Sequence, residues 1–309
     1  MQKKIGFMGT PNFAVPILKS IFQNGFEVSV VYTQPPSKSN RGQKFEKSSV
    51  HSFAETINLD VRTPHQLKNN KSEYEYFKNL NLDLVIIVAY GIIIPKEFLS
   101  LSKTSFINLH ASILPQWRGA APIQRAIMNQ NKETGISVMR INEKLDEGEI
   151  SHIFKINIEK NENAESLSER LSTLASEKIS EVIDSIIDKD VDFKPQDHSK
   201  ATYAKKIKKT EGLIDWNDRA ENIIGKINGL FPYPGGYFIY RGERYKILKA
   251  QISFSKDQPG KVLSSELEIS CGENSIKILE IQREGKKSQK INEFAIGSQI
   301  EKGTNLLNV

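Results

Sequence analysis

The chain holds one cysteine, Cys271, in 309 residues. This excludes a disulfide framework and any cysteine-built metal site. Long apolar runs are also missing. The longest, Leu84 to Ile94, is about half of what a membrane-spanning helix needs, and Tyr90-Gly91 interrupts it. Mean hydropathy is −0.42. The opening residues MQKKIGFMGTP contain neither the apolar core nor the small-residue cleavage site of a secretion signal. The expectation is a soluble cytoplasmic protein without a membrane segment. The first tight turn, Gly6 to Asn12, lacks the third glycine of a GxGxxG fingerprint, its place being taken by Pro11 or Asn12. Dinucleotide binding is therefore poorly supported. The plainer reading is a tight turn in which Thr10 or Asn12 caps the next helix.

Hydrophobic residues make up 38% of the chain, enough for a packed core, and the length favours two domains. Charge is unevenly spread. Residues 1–190 carry 23 Lys/Arg against 22 Asp/Glu, whereas residues 191–309 carry 20 against 15. A basic C-terminal third suits a polyanion such as nucleic acid, although charge alone is explained more simply by a lysine-rich solubilising surface.

Hydrophobic periodicity organises the rest. Lys3–Gly9, Glu27–Thr33, Asp83–Ala89 and Thr104–Leu109 read as strands, with helices between them near 12–24, 50–57 and 72–80. This order predicts right-handed crossovers and a Rossmann-like, doubly wound, mostly parallel α/β sheet. Further strands are expected at 135–141 and 150–158. A helix over about 164–189, with Leu167, Leu171, Leu174, Ile179 and Ile183 on one stripe, closes a domain spanning residues 1–189. Residues 190–209 contain Pro195 and the run Lys205, Lys206, Ile207, Lys208, Lys209, and read as a basic linker. From residue 210 to 309, short strands separated by Gly and Pro, among them 260–263, suggest a small β-barrel or sandwich.

The chemistry concentrates in Ile107 to Pro122. Asn108, His110 and Ser112 alternate, and in an extended segment they share one face. An acidic turn, Leu145-Asp146-Glu147-Gly148, follows later. An amide can donate to a developing oxyanion, an imidazole can move a proton near neutral pH, and a carboxylate can orient the imidazole. The bland alternative is a buried, hydrogen-bonded polar cluster. Arg118 fits a carboxylate or phosphate partner and a surface turn equally well.

The segment Asn108-Leu109-His110-Ala111-Ser112-Ile113-Leu114-Pro115, followed by Arg118-Gly119-Ala120-Ala121-Pro122 and by Leu145 to Gly148, resembles the signature of the 10-formyltetrahydrofolate-dependent formyltransferases. Within that family the chain looks most like the members whose acceptor is initiator methionyl-tRNA. Phe7 to Ala14, Arg41 to Lys44, Tyr203 to Ile207, Glu211 to Trp216 and Phe231 to Gly236 carry that part of the resemblance, which spans essentially the whole chain. Ile113 stands where leucine is usual, Tyr233 where tryptophan is common, and the loop before Arg41 is less arginine-rich than in many relatives.

The resemblance implies 10-formyltetrahydrofolate as formyl donor and the α-amine of methionyl-tRNA as acceptor, with no metal. It implies Asn108, His110 and Asp146 as catalytic residues, and Ser112, Ile113, Leu114 and Pro115 as a folate shelf. It places Arg41, Lys44, Lys205, Lys206, Lys208 and Lys209 against the tRNA, and makes the C-terminal barrel OB-like. A monomer is expected. A sugar-nucleotide amine is the alternative acceptor for the same catalytic motif. Simple hydrolysis of the donor and a catalytically dead RNA-binding scaffold are further rivals.

Overall fold

The computed structural model describes residues 2–39 and 44–307. Arg41 lies outside them, and of Lys44 only the backbone is described. The chain divides into two compact units. One comprises Met1–Gly119, Gly135–Ile156 and Ser168–Tyr203, and the other Ala120–Thr134, Asn157–Leu167 and Ala204–Val309.

The first unit is built on β1 (Lys4–Gly9), α1 (Val15–Gln23), β2 (Glu27–Tyr32), β3 (Ser37–Ser39), β4 (Lys44–Glu46), α2 (Ser49–Thr56), β5 (Val61–Arg62) and α3 (Lys71–Asn79). It continues with β6 (Leu84–Val88), α4 (Lys96–Leu99), β7 (Ser105–His110) and β8 (Arg118–Gly119). After α5 (Pro122–Met128), which belongs to the second unit, come β9 (Glu133–Arg140), β10 (Ile150–Asn157) and the long α6 (Ala164–Ile187), whose first four residues also belong to the second unit. Seven strands form one mixed sheet in the order β10-β9-β7-β6-β1-β2-β5. β1 runs parallel to β2 and β6, and β6 parallel to β7. β9 is antiparallel to β7, with Ser137 beside His110.

The central strand β6, Leu-Val-Ile-Ile-Val, is buried at every position, as a strand covered on both faces must be. α6 buries Leu167, Leu171, Ala175, Ile179, Val182 and Ile186, a spacing of three and four that makes one apolar stripe. Parallel pairing puts the carboxyl ends of β1, β6 and β7 on one edge of the sheet. Thr10, just past β1, does not cap the following helix. Its hydroxyl donates to the Tyr90 carbonyl at 2.8 Å and accepts from the Gln34 amide. The helix begins instead as a 3-10 turn, Asn12–Ala14, with no side-chain cap. Thr10 is thus used to tie two strand ends across the sheet, a demand that outweighs local capping.

The second unit carries β11 (Tyr203–Ala204), whose first residue belongs to the first unit, then α7 (Ala220–Gly229), β12 (Gly236–Tyr240), β13 (Glu243–Ser253), β14 (Glu268–Ser270), β15 (Ser275–Arg283), β16 (Gln289–Lys290) and α8 (Ile291–Ile296). The antiparallel path is β12-β13-β15-β14, with β16 paired to β15. Among the described residues the path is open, with no pairing that closes a barrel. The strand expected at 260–263 reduces to single bridges at Lys261 and Val262. Trp216, Phe238, Ile247, Ile269, Ile276 and Ile278 sit in the core of this unit.

Candidate active site

β7 delivers two side chains to the carboxyl edge of the sheet. Asn108 and His110 are two residues apart in a strand and so leave the same face. Asn108 is half-buried, and among the described residues its amide has no hydrogen-bond partner within the protein. An amide held on a rigid strand with its donors free is what an oxyanion site requires.

His110 is buried. Its Nε2 lies 2.9 Å from the carbonyl of Trp117. A carbonyl only accepts, so Nε2 carries a hydrogen and donates it. Nδ1 faces Asp146 Oδ2 at 3.7 Å, beyond direct hydrogen-bond length. The same carboxylate oxygen accepts the Gly119 amide at 2.8 Å. The carboxylate of Asp146 is therefore fixed on one side by a backbone N–H and turned on the other towards the basic edge of the imidazole. In the neutral ring, Nδ1 is the nitrogen left to take a proton. Once it does so, the carboxylate faces the new charge.

The turn that carries Asp146 is held in an unusual shape. Asp146 has φ of +52°, a left-handed conformation that costs an ordinary residue about 1 kcal/mol and that aspartate tolerates better than most. Gly148 packs so closely on β9 that a Cβ there would stand 1.8 Å from the Arg140 carbonyl oxygen. Only glycine fits.

Gln196 secures this turn. Its Nε2 donates to the carbonyls of Asp146 at 2.9 Å and Gly148 at 2.7 Å. Its Oε1 accepts from Arg118 Nε at 3.1 Å and Nη2 at 2.8 Å. Arg118 is 1% exposed and is paired with Glu147 at 3.3 Å, so it meets a carboxylate and is no surface turn residue. Its Nη2 also donates to His198 Nδ1 at 3.1 Å. The Arg118 amide donates to the Thr202 carbonyl, and the Trp117 amide to the Thr202 hydroxyl. Residues 196–202 of the basic segment therefore build the site.

The other assigned residues divide. Strand geometry ends at His110, and the chain turns as the Ser112 amide bonds back to the His110 carbonyl at 2.9 Å. Ser112 consequently does not continue the face of Asn108 and His110. It is fully buried, and its hydroxyl donates to the Gln116 carbonyl at 2.6 Å. Ser137 Oγ donates to the Ser112 carbonyl and accepts the Leu114 amide, closing the turn from β9. Leu114 is buried, whereas Ile113 and Pro115 are half-buried. Lys205, Lys206, Lys208 and Lys209, in the second unit, are all exposed, and among the described residues none closes an ion pair.

Sequence reading missed Gln196, Glu147 and Ser137 as parts of the site. The acidic turn contained Glu147, but no periodicity marks Gln196 or Ser137. A cleft of about 520 Å³ lies elsewhere, lined by Arg62, Thr63, His65, Gln66, Asn70 and Glu73 at the β5 edge. It is four strands from β7, or roughly 19 Å at the usual strand spacing. Among the described residues no group of three or more His, Cys, Asp or Glu can hold a metal ion, and no helix is long and apolar enough to cross a membrane.

Comparisons with known proteins give the family. Residues 3–183 match a family model described as formyl transferase, and residues 206–299 match the formyl transferase C-terminal domain. The solved N-formyltransferase of Helicobacter canadensis, in complex with folinic acid and dTDP-3-aminofucose, shares the fold with a TM-score of 0.68 and 21% identity. That match covers 90% of this chain and 99% of the other. HypX of Aquifex aeolicus, solved with tetrahydrofolic acid, shares it with a TM-score of 0.66 at 15% identity, over 97% of this chain and 48% of its own. The methionyl-tRNA formyltransferase of Caldanaerobacter subterraneus subsp. tengcongensis is 42% identical over 97% of this chain and 99% of its own. The methionyl-tRNA formyltransferase of Pelagibacter ubique is 61% identical over 310 aligned residues, 100% of each chain. With that identity sustained from end to end, the chain belongs to the methionyl-tRNA formyltransferases.

Proposed function

We propose that the protein transfers the formyl group of 10-formyltetrahydrofolate to the α-amine of methionyl-initiator tRNA, the step that prepares this tRNA for translation initiation. The observation that carries the reading is the pairing of an unengaged Asn108 amide with a His110 whose Nδ1 faces the anchored Asp146 carboxylate. A neutral amine is itself a nucleophile, so the protein needs no covalent intermediate. It has to take a proton from the amine, hold a developing oxyanion and return a proton to the leaving nitrogen. Asn108 donates its N–H to the oxyanion. His110, through Nδ1 and with Asp146 behind it, accepts the amine proton and passes it on.

The donor supplies an activated one-carbon unit. Ser112, Ile113, Leu114 and Pro115 are the shelf for its folate, Ile113 and Pro115 by surface contact, Leu114 and the Ser112 hydroxyl by holding the turn. On the tRNA side, Arg41 and Lys44 act together with Lys205, Lys206, Lys208 and Lys209 of the basic segment, and the last four are exposed. Exposed, unpaired ammonium groups are suited to track phosphates. The domains are a catalytic part over 1–189, a basic linker over 190–209 and an OB-like RNA-binding part over 210–309. Register shifts in β13 between Ile247 and Ala250 support the last reading, because bulges bend a strand in the way that curls a sheet. The protein acts as a cytoplasmic monomer.

The test is direct. The purified protein is given formyltetrahydrofolate with methionyl-tRNA, with an amino-sugar nucleotide, or with no acceptor. Transfer to the tRNA alone is the expected result, and transfer to the sugar or bare hydrolysis refutes it. Asn108→Ala and His110→Ala should each lower transfer by about a hundredfold or more while the thermal transition is retained. Near-normal turnover in either variant removes that residue from the chemistry.

A further inference from the structure

We propose that Gln196 is a positioning residue for formyl transfer, acting through Asp146. The inference rests on the reading of the reaction given above. Gln196 lies 50 residues from Asp146 in sequence, outside every motif that carries the family resemblance. Yet it is 7% exposed, and all four of its side-chain hydrogen-bonding positions are filled.

The orientation of its amide is unambiguous. The carbonyls of Asp146 and Gly148 can only accept, so the –NH₂ group faces them, at 2.9 and 2.7 Å. The guanidinium of Arg118 can only donate, so Oε1 faces it, at 3.1 and 2.8 Å. Arg118 is in turn held by Glu147, the residue between the two carbonyls that Gln196 grips. The side chain thus clasps both ends of a three-residue turn, while its guanidinium partner holds the middle.

What this fixes is the backbone of a left-handed residue. Asp146 reaches both the Gly119 amide and His110 with a single oxygen, Oδ2. A short side chain in a strained backbone conformation transmits any relaxation of that backbone directly to its carboxylate. Substrate contact is not needed for the effect. Loss of the clasp lets the turn relax and moves Oδ2 off the imidazole, which weakens proton acceptance and leaves the binding of tRNA and folate unchanged.

Two substitutions test this. Gln196→Met keeps volume and removes every hydrogen bond. Gln196→Glu keeps the acceptor for Arg118, now as a carboxylate against a guanidinium, and removes the donors to the two carbonyls, so it releases the turn while the buried Arg118 stays paired. Each is measured for kcat and for KM with both substrates, alone and in an Asp146→Ala background followed by single turnover. The expected result is a fall in kcat of about tenfold to a hundredfold, with both KM values within about twofold of the parent. In the Asp146→Ala background no further loss is expected, because the residue acts through Asp146.

An unchanged kcat in Gln196→Glu, an effect confined to KM, or a loss that multiplies with that of Asp146→Ala overturns the inference while leaving the reaction intact. Absence of transfer to methionyl-tRNA by the unsubstituted protein overturns the reading of the reaction, and the inference falls with it.

Discussion

Substituting Gly148 with alanine puts the reasoning about the acidic turn at greatest risk. An alanine Cβ would stand 1.8 Å from the Arg140 carbonyl oxygen and 2.8 Å from its carbon. Contacts below 3.0 Å are essentially never observed, so the two backbones have to part by at least the difference, about 1.2 Å. Neither side yields easily. Arg140 ends a strand hydrogen-bonded across the sheet, and the Gly148 carbonyl is held by Gln196. Overpacking against backbone of this kind costs typically 1–3 kcal/mol, and more where neither side relaxes. The midpoint of thermal unfolding should then fall by several degrees, at about 2–4 °C per kcal/mol for a domain of this size. Activity should suffer more. The displacement falls two residues from Asp146, and a shift of about 1 Å in a reacting group lowers rate by about a hundredfold. The assay pairs thermal unfolding with single-turnover formyl transfer to methionyl-tRNA. A Gly148→Ala protein with the parent's melting temperature and the parent's rate refutes the account of this turn.

Other consequences are open to measurement. Burial pushes the Cys271 thiol up to about 12, so the folded protein should resist iodoacetamide at pH 8 and react only in denaturant; rapid labelling of the native protein contradicts this. Burial alone would raise Glu73, but its hydrogen bonds from Arg62 and Tyr32 hold it below the ordinary carboxylate range. Because its folded pKa is depressed, the stability it contributes is present above about pH 4.5 and is lost as pH falls through the lower folded value. Urea unfolding of the parent and of Glu73→Gln should therefore converge on acidification from pH 6 to pH 3, and a constant gap rejects the assignment. Lys206→Glu should weaken tRNA affinity and flatten its dependence on log salt by one to two charges' worth of slope. An unchanged affinity and slope remove the basic segment from RNA binding.

The legibility of this chain follows from the range over which each residue's role is set. β6 was readable because burial on both faces demands an unbroken apolar run, and α6 because one apolar stripe demands spacings of three and four. Asn108, His110 and Asp146 stood out because their chemical types cluster in short segments. Thr10 misled, since a hydroxyl before a helix resembles a cap, and only the fold brings the Tyr90 carbonyl within reach. Ser112 misled because alternation predicts a shared face only while the strand lasts, and the chain turns one residue past His110. Arg118 left two readings open until Glu147 and Gln196 closed around it. Gln196 gave no local sign at all. Its partners lie about 50 and 78 residues away, and a glutamine in an irregular segment carries no periodicity.

The left-handed backbone at Asp146 also separates two quantities that most active sites confound. Asparagine enters that conformation as readily as aspartate, and its side-chain oxygen can accept the Gly119 amide as the carboxylate does. Asp146→Asn therefore removes one unit of negative charge from beside His110 while the turn and its anchoring bond persist. Asp146→Ala, by contrast, removes charge and anchor together. The ratio of the two rates is a direct reading of how much of the catalysis is electrostatic and how much is placement.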